Sequence, residues 1–259
     1  MNCAIVGPSV MIAVAAPDTT RLAVILAAGI GSRLRPLTSD RPKALVPVGG
    51  QSILARAIEA LLSCGIEKLV IATGYREDAI ARAVSDLPIE VVLRPNAEYE
   101  STQNSVSLGL CRDLLEGHSF FRLDGDVVFE REILSRLTAV DAPLVAAIDR
   151  GRMLDAEAMK VRLHENGRTV LAFGKGISLA ESGGESIGIE WISAEASTSL
   201  FDGLDRARRA GETHLYYEDV YSRLIAEGLR VGAADVTGVR WCEVDCAEDL
   251  AQASALFPA

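Results

Sequence analysis

The chain has few of the residues that build most metal and redox centres. Its three histidines, His118, His164 and His214, lie far apart with no ligand spacing, so a zinc site is not expected. Five cysteines, Cys3, Cys64, Cys111, Cys242 and Cys246, are an odd number with no Cys-x-x-Cys pair. That excludes a simple disulfide framework and points to the reducing cytoplasm. Net charge is −10, without the broad cationic face that nucleic acid requires. No Lys or Arg precedes Arg21, so the positive start of a signal peptide is missing. The early apolar stretch is interrupted by Pro8, Pro17 and Asp18 and is too short to insert in a membrane. Residues 1–20 therefore read as a disordered N-terminal extension, with Met11 an alternative start, and residues 21–259 as one folded domain.

Apolar residues, at 49%, suffice for a sizeable core. Leu22 to Ala27 reads as a buried strand. Ser52 can cap a helix burying Ile53, Leu54, Ile58, Leu61 and Leu62, which stops near Gly65. Lys68 to Thr73 is β-rich, a helix follows from about 77 to 85, and Ile89 to Leu93 is another strand. Strands alternating with helices predict an α/β fold with a doubly wound, mostly parallel central sheet. From about residue 144 the pattern changes to strands at Leu144–Ile148, Met159–Leu163 and Thr169–Phe173. Asn166-Gly167 makes a hairpin turn between the last two, which predicts a small antiparallel flap. Helices are expected at about 195–209, 219–227 and 247–257.

Basic charge is concentrated in one place. After the first strand come Gly29 and Gly31, then Arg33, Arg35, Arg41 and Lys43. Glycines allow a tight turn and close approach of the backbone, and inward-facing amides in such a turn cradle phosphate oxygens. The stretch is neither a Walker loop nor a dinucleotide fingerprint, since no Lys-Ser/Thr follows the glycines and Leu34 stands at the third glycine position. Farther on, Asp124-Gly125-Asp126 ends a strand. Two acids there suit a hard divalent cation such as Mg²⁺, which normally accompanies a triphosphate.

These segments resemble the nucleotidyltransferases that activate sugar phosphates and related phosphorylated alcohols. Leu26-Ala27-Ala28-Gly29, Gly31-Ser32-Arg33-Leu34-Arg35-Pro36-Leu37-Thr38 and Pro42-Lys43-Ala44-Leu45-Val46-Pro47-Val48 all match that signature. Asn96-x-x-Tyr99 and Asn104-x-x-Ser107-Leu108 resemble the choline-phosphate and phosphonate cytidylyltransferase branch. Trp241-Cys242-Glu243-Val244-Asp245 resembles the closing strand, and the likeness spans about residues 22–257. It implies a nucleotide-diphospho-sugar transferase-like sheet and CMP transfer from CTP, with pyrophosphate released. Sugar-1-phosphate transfer using GTP or UTP, GMP transfer to a molybdenum cofactor, and a binding-only regulatory protein are the alternatives. The nucleotide would meet Leu26, Ala27, Ala28, Gly29, Gly31, Ser32, Arg33, Lys43, Gly74, Asn104, Ser107 and Asp124. Arg33, Lys43 and Asp126 would be catalytic, and Asp126 and Asp245 would hold Mg²⁺. The acceptor is expected to be small, to carry a phosphate or phosphonate, and to bear a cationic amine. Lys175, Trp191, Tyr216, Tyr217 and Glu218 are its candidate partners, the aromatic faces attracting the cation. A homodimer is left open.

Overall fold

The computed structural model describes residues 20–259. The expectation for residues 1–19 lies outside the described residues. Thr20 belongs to the fold, since it is buried and its hydroxyl accepts a 2.8 Å hydrogen bond from the Trp191 indole. The strands are β1 (Leu22–Ala27), β2 (Pro47–Val48), β3 (Gln51–Ser52), β4 (Lys68–Thr73), β5 (Glu90–Pro95), β6 (Phe120–Asp124) and β7 (Val127–Phe129). They continue as β8 (Leu144–Asp149), β9 (Lys160–Leu163), β10 (Thr169–Phe173), β11 (Gly184–Ile192), β12 (Val231–Asp235) and β13 (Trp241–Glu243). The helices are α1 (Ile53–Ser63), α2 (Glu77–Val84), α3 (Asn104–Gly109) and α4 (Arg112–Leu115). After them come α5 (Glu132–Thr138), α6 (Ala194–Arg209), α7 (Tyr217–Ala226) and α8 (Ala247–Leu256).

Nine strands form one sheet in the order β5-β4-β1-β6-β11-β8-β12-β10-β9. The first four are parallel, as are β8 and β12. The antiparallel flap of β9 and β10 closes one end of the sheet. The sequence pattern does not reveal that β11 runs antiparallel through the centre, between β6 and β8. Its pairing is interrupted between Ser186 and Glu190, and its first residues reach across to β9.

Strand β1 explains why the sheet is covered on both sides. Ala23, Ile25 and Ala27 pack with α1, α2 and α5, while Leu22, Val24 and Leu26 pack with α3, α6 and α7. A strand buried on both faces must be apolar throughout, as this one is. Ser52 caps α1 as expected, accepting a 3.1 Å bond from the Ala55 amide. The register pairs Leu26 with Asp124 and Ala27 with Thr73, so β1, β4 and β6 end together. The loops that follow them therefore share one crevice, where open α/β sheets bind ligands.

Candidate active site

The loop after β1 is built to bring one lysine inward. Gly31 has φ +70°, and a Cβ there would stand 2.8 Å from the Lys43 Cβ. Only glycine combines that backbone with room for the lysine stem. Thr38 Oγ1 ties the loop by donating to the Gly31 carbonyl at 2.8 Å, and Leu34 anchors it in the core. Lys43 is 9% exposed. Its ammonium donates to Asp126 Oδ2 at 2.6 Å and also to Asp245 Oδ1. Arg33 donates to the other oxygen of Asp245 at 2.6 Å.

Two acids separated by more than a hundred residues meet because β7 and β13 form an antiparallel ribbon. Asp126 stands just before β7 and Asp245 just after β13, and the Val244 amide donates to the Asp126 carbonyl at 3.0 Å. Glu243, the last residue of β13, faces the same place. Oxygens of Asp126, Glu243 and Asp245 all lie within 4.8 Å of one another. Opposite ligands of an octahedral Mg²⁺ stand about 4.2 Å apart, twice a metal–oxygen distance of about 2.1 Å. Among three ligands at most one pair can be opposite and the others stand about 3 Å apart, so these hard oxygen donors suit such an ion in kind and would have to close in on it.

The electrostatics point the same way. Burial would lower the Lys43 pKa, but Asp126 and Asp245 raise it well above its ordinary value. Burial would raise that of Asp245, but Lys43 and Arg33 outweigh it and hold it below the usual range. Glu243 has no cation of its own. Crowding of its carboxyl by protein, then the charges of Asp126 and Asp245, push it up to about 9 despite partial exposure and the opposing charge of Lys43. A third carboxylate would be ionised by a cation arriving among the three.

The crevice has a volume of about 370 Å³, in the range of small-molecule sites. Of the candidate site residues, Leu26, Ala28, Gly29, Arg33, Asn104, Ser107, Asp124, Asp126, Lys175, Tyr216, Glu218 and Asp245 line it. Ala27, Gly31, Ser32 and Lys43 do not line it: Ala27 is buried at the end of β1, Gly31 and Ser32 belong to the loop after it, and Lys43 reaches the lining acids Asp126 and Asp245. Gly74 does not line it either, and a Cβ there would stand 2.7 Å from both the Ala28 carbonyl oxygen and the Tyr99 Cβ. Gly125 does not open space for a metal. It passes against β1, where a Cβ would meet the Leu26 carbonyl oxygen at 2.6 Å. Asn104 does not cap its own helix, since its Oδ1 accepts from the Tyr217 amide at 3.1 Å and pins the start of α7. Ser107 Oγ accepts from buried Asn96 at 3.0 Å.

Two aromatic assignments need correction. Trp191 lies away from the crevice, paired with Phe121 and Val145 and donating to Thr20. Tyr217 is fully buried beneath the crevice floor. Its hydroxyl donates to Asp124 Oδ2 at 2.8 Å, and the Arg122 guanidinium covers its ring at 3.7 Å. Trp241 is likewise occupied, with its indole N–H on Asp149 at 2.7 Å and Arg152 over its ring at 3.8 Å. At the start of α7 it is Asp219, not Glu218, that caps, accepting from the Tyr216 amide at 2.8 Å.

The sequence reading passes over Glu243, although residues two apart on a strand share a face and Glu243-Val244-Asp245 showed that spacing. It also passes over Arg122, fully buried under the floor, which donates to Asp124 Oδ1 at 2.7 Å and ion-pairs with buried Glu190. An arginine inside an apolar strand was the available signal.

Residues 23–239 match the model of the MobA-like NTP transferase domain, and the chain belongs to that family. It is 32% identical over 263 residues to the CMP-5'-(3-aminopropyl)phosphonate synthase of Streptomyces rubellomurinus, covering 94% of this chain but only 40% of that protein. It is 28% identical over 230 residues to the 2-aminoethylphosphonate cytidylyltransferase of Lancefieldella rimae, covering 88% of this chain and 90% of that one. Among solved structures, the inositol-1-phosphate CTP transferase from T. maritima superposes with a TM-score of 0.77 at 22% identity. It covers 93% of this chain and 98% of its own, and this likeness concerns the fold. Among the described residues, no helix is long and apolar enough to cross a membrane.

Proposed function

We propose that this MobA-like NTP transferase moves CMP from CTP to the phosphate or phosphonate of a small acceptor that also carries a cationic amine, releasing pyrophosphate. The observation that carries the reading is Lys43, held by Asp126 and Asp245 beside a glycine loop at the carboxyl end of β1. The names of the two relatives support the base and the acceptor class.

The chain's own groups act by position and charge. The loop amides and Arg33 face the β and γ phosphates, and Asn104 and Ser107 line the side that receives the base. An acceptor oxygen attacks the α-phosphorus in line. The bond to the bridging oxygen breaks, and pyrophosphate leaves with the electron pair. No protein nucleophile is required, so catalysis comes from alignment and charge balance. Lys43 stands between donor and acceptor phosphates and offsets charge gained in the transition state. Lys175, whose ammonium lies 3.1 Å from Glu157 and 5.0 Å from the centre of the Tyr216 ring, faces the acceptor's anionic end. Asp126, Glu243 and Asp245 would hold Mg²⁺, which would supply neutralisation of triphosphate charge.

The test is pyrophosphate release from CTP and Mg²⁺ with a panel of aminoalkyl phosphonates, aminoalkyl phosphates and sugar 1-phosphates. Turnover with the amine acceptors is expected. Turnover confined to sugar 1-phosphates, or to GTP or UTP, would refute the reading.

A further inference from the structure

The acceptor's cation can be recognised in two chemically different ways. A quaternary ammonium has no N–H and needs open aromatic faces around it. A primary ammonium has three N–H donors and needs oxygen acceptors. The crevice decides between them. Of its lining residues only Tyr99 and Tyr216 are aromatic. Tyr216 already has the Lys175 ammonium near its face, while Tyr99 packs against Tyr75 with ring centres 6.4 Å apart. The rings that might have completed a cage are elsewhere or covered: Trp191 is outside, and Tyr217 and Trp241 each carry a guanidinium.

Oxygen acceptors are present instead. Glu218 lines the crevice, is 4% exposed, and its Oε2 has no hydrogen-bond partner among the described residues. Ser186, 6% exposed, also lines the crevice, and its Oγ has no such partner either. Buried polar atoms are rarely left unpaired in a folded protein. An N–H donor from the acceptor would satisfy the carboxylate and balance its charge, whereas a trimethylated nitrogen would leave it unpaired and buried.

Resting on the cytidylyltransferase reading above, we infer that the acceptor carries a primary ammonium, that Glu218 receives its N–H, and that this contact selects against quaternary ammonium acceptors. Sites built to hydrogen-bond a substrate donor reject analogues that lack it.

The experiment measures kcat/KM with CTP for 2-aminoethylphosphonate and for its N-methyl, N,N-dimethyl and N,N,N-trimethyl derivatives, which share one phosphonate. The expected result is a fall with methylation, reaching about 5- to 150-fold for the trimethyl compound, the range for one unsatisfied buried group. Glu218→Gln should raise KM for the primary amine, leave KM for CTP unchanged and narrow the ratio. Thermal denaturation of this near-isosteric variant checks that it folds. Equal or better use of the trimethyl compound would overturn the inference and leave CMP transfer standing. An unchanged acceptor KM in a folded Glu218→Gln enzyme would also overturn it. No pyrophosphate from any of the four compounds, with turnover of another acceptor, would overturn the amine-acceptor reading and this inference with it.

Discussion

Replacing Lys43 by methionine keeps most of the stem that Gly31 accommodates and removes the charge. The ammonium makes two charge-assisted bonds, to Asp126 and Asp245. Breaking a fully buried ion pair costs about 3–5 kcal/mol. Here the two acid side chains are 27% and 26% exposed, so water recovers part of the loss and about 2–3 kcal/mol remains. At about 2–4 °C per kcal/mol for a domain of this size, Tm in metal-free buffer should fall by about 4–12 °C. Mg²⁺ should then stabilise the variant more than the parent, because Asp126 and Asp245 are left without their lysine. Turnover should fall by about 10²–10³, the usual loss on removing one transition-state charge partner. Scanning calorimetry with and without Mg²⁺, beside a pyrophosphate assay at saturating CTP, reads both effects. A folded variant with the parent's kcat would refute the catalytic role, and an unchanged metal-free Tm would refute the energetic argument. A change confined to KM for CTP would make Lys43 a binding residue only.

Asp126→Asn, Glu243→Gln and Asp245→Asn should each raise the Mg²⁺ concentration needed for half-maximal activity, because an amide oxygen is a weaker ligand for a hard cation. A variant that keeps the parent's metal titration curve removes that residue from the set. Competition calorimetry should show CTP binding more tightly than GTP or UTP, and a tighter purine or uridine nucleotide would sink the cytosine assignment. Burial, then Asp124, pushes the Glu218 carboxyl up to about 8, with Arg122 opposing and Glu190 adding to the rise. The ionised form therefore gains as pH rises, while an acceptor amine of ordinary pKa near 10 stays charged. KM for the amine acceptor should fall between about pH 7 and 9 in the parent and stay flat in Glu218→Gln. The stability sign is opposite: a raised carboxyl contributes stability below its unfolded value near 4.5, lost as pH rises through about 8. The parent should therefore lose Tm relative to Glu218→Gln between about pH 4.5 and 8 and level off above that, and parallel Tm profiles across that window would contradict the burial of a titrating carboxyl.

Much of this is legible in the amino-acid sequence. The β1 run, the Ser52 cap and the Asn166-Gly167 turn carry local signals, and each element lies within a residue or two of its expected place. The phosphate loop and the strand-end acids were visible because glycine, cation and carboxylate cluster in sequence. The rest depends on pairing across long separations. Nothing local says that β11 enters the sheet between β6 and β8, or that β13 lies along β7 and so carries Glu243 to Asp126. Two of the aromatic assignments, Trp191 and Tyr217, failed for the same reason. Trp191 sits on β11 outside the crevice lining, and Tyr217, like Trp241, has a partner in an arginine distant in sequence.

Those arginines bear on what the crevice can accept. Arg122 sits under the floor and is claimed twice, by Asp124 and by Glu190. Glu218 lies near both acids and, among the described residues, makes no ion pair, so its raised carboxyl would gain from an arriving cation. At the other end, Arg33 and Lys43 are already committed to Asp126 and Asp245. A triphosphate therefore meets a nearly neutral surface there, and a divalent cation on the three acids would tip the balance in its favour. An acceptor with one anionic end and one cationic end matches this division, its phosphonate beside Lys43 and Lys175 and its nitrogen toward Glu218. A sugar phosphate would satisfy the first end and could offer the second only a hydroxyl donor, which leaves the Glu218 charge unbalanced. The charge layout of the crevice thus favours a zwitterionic acceptor independently of any aromatic contact.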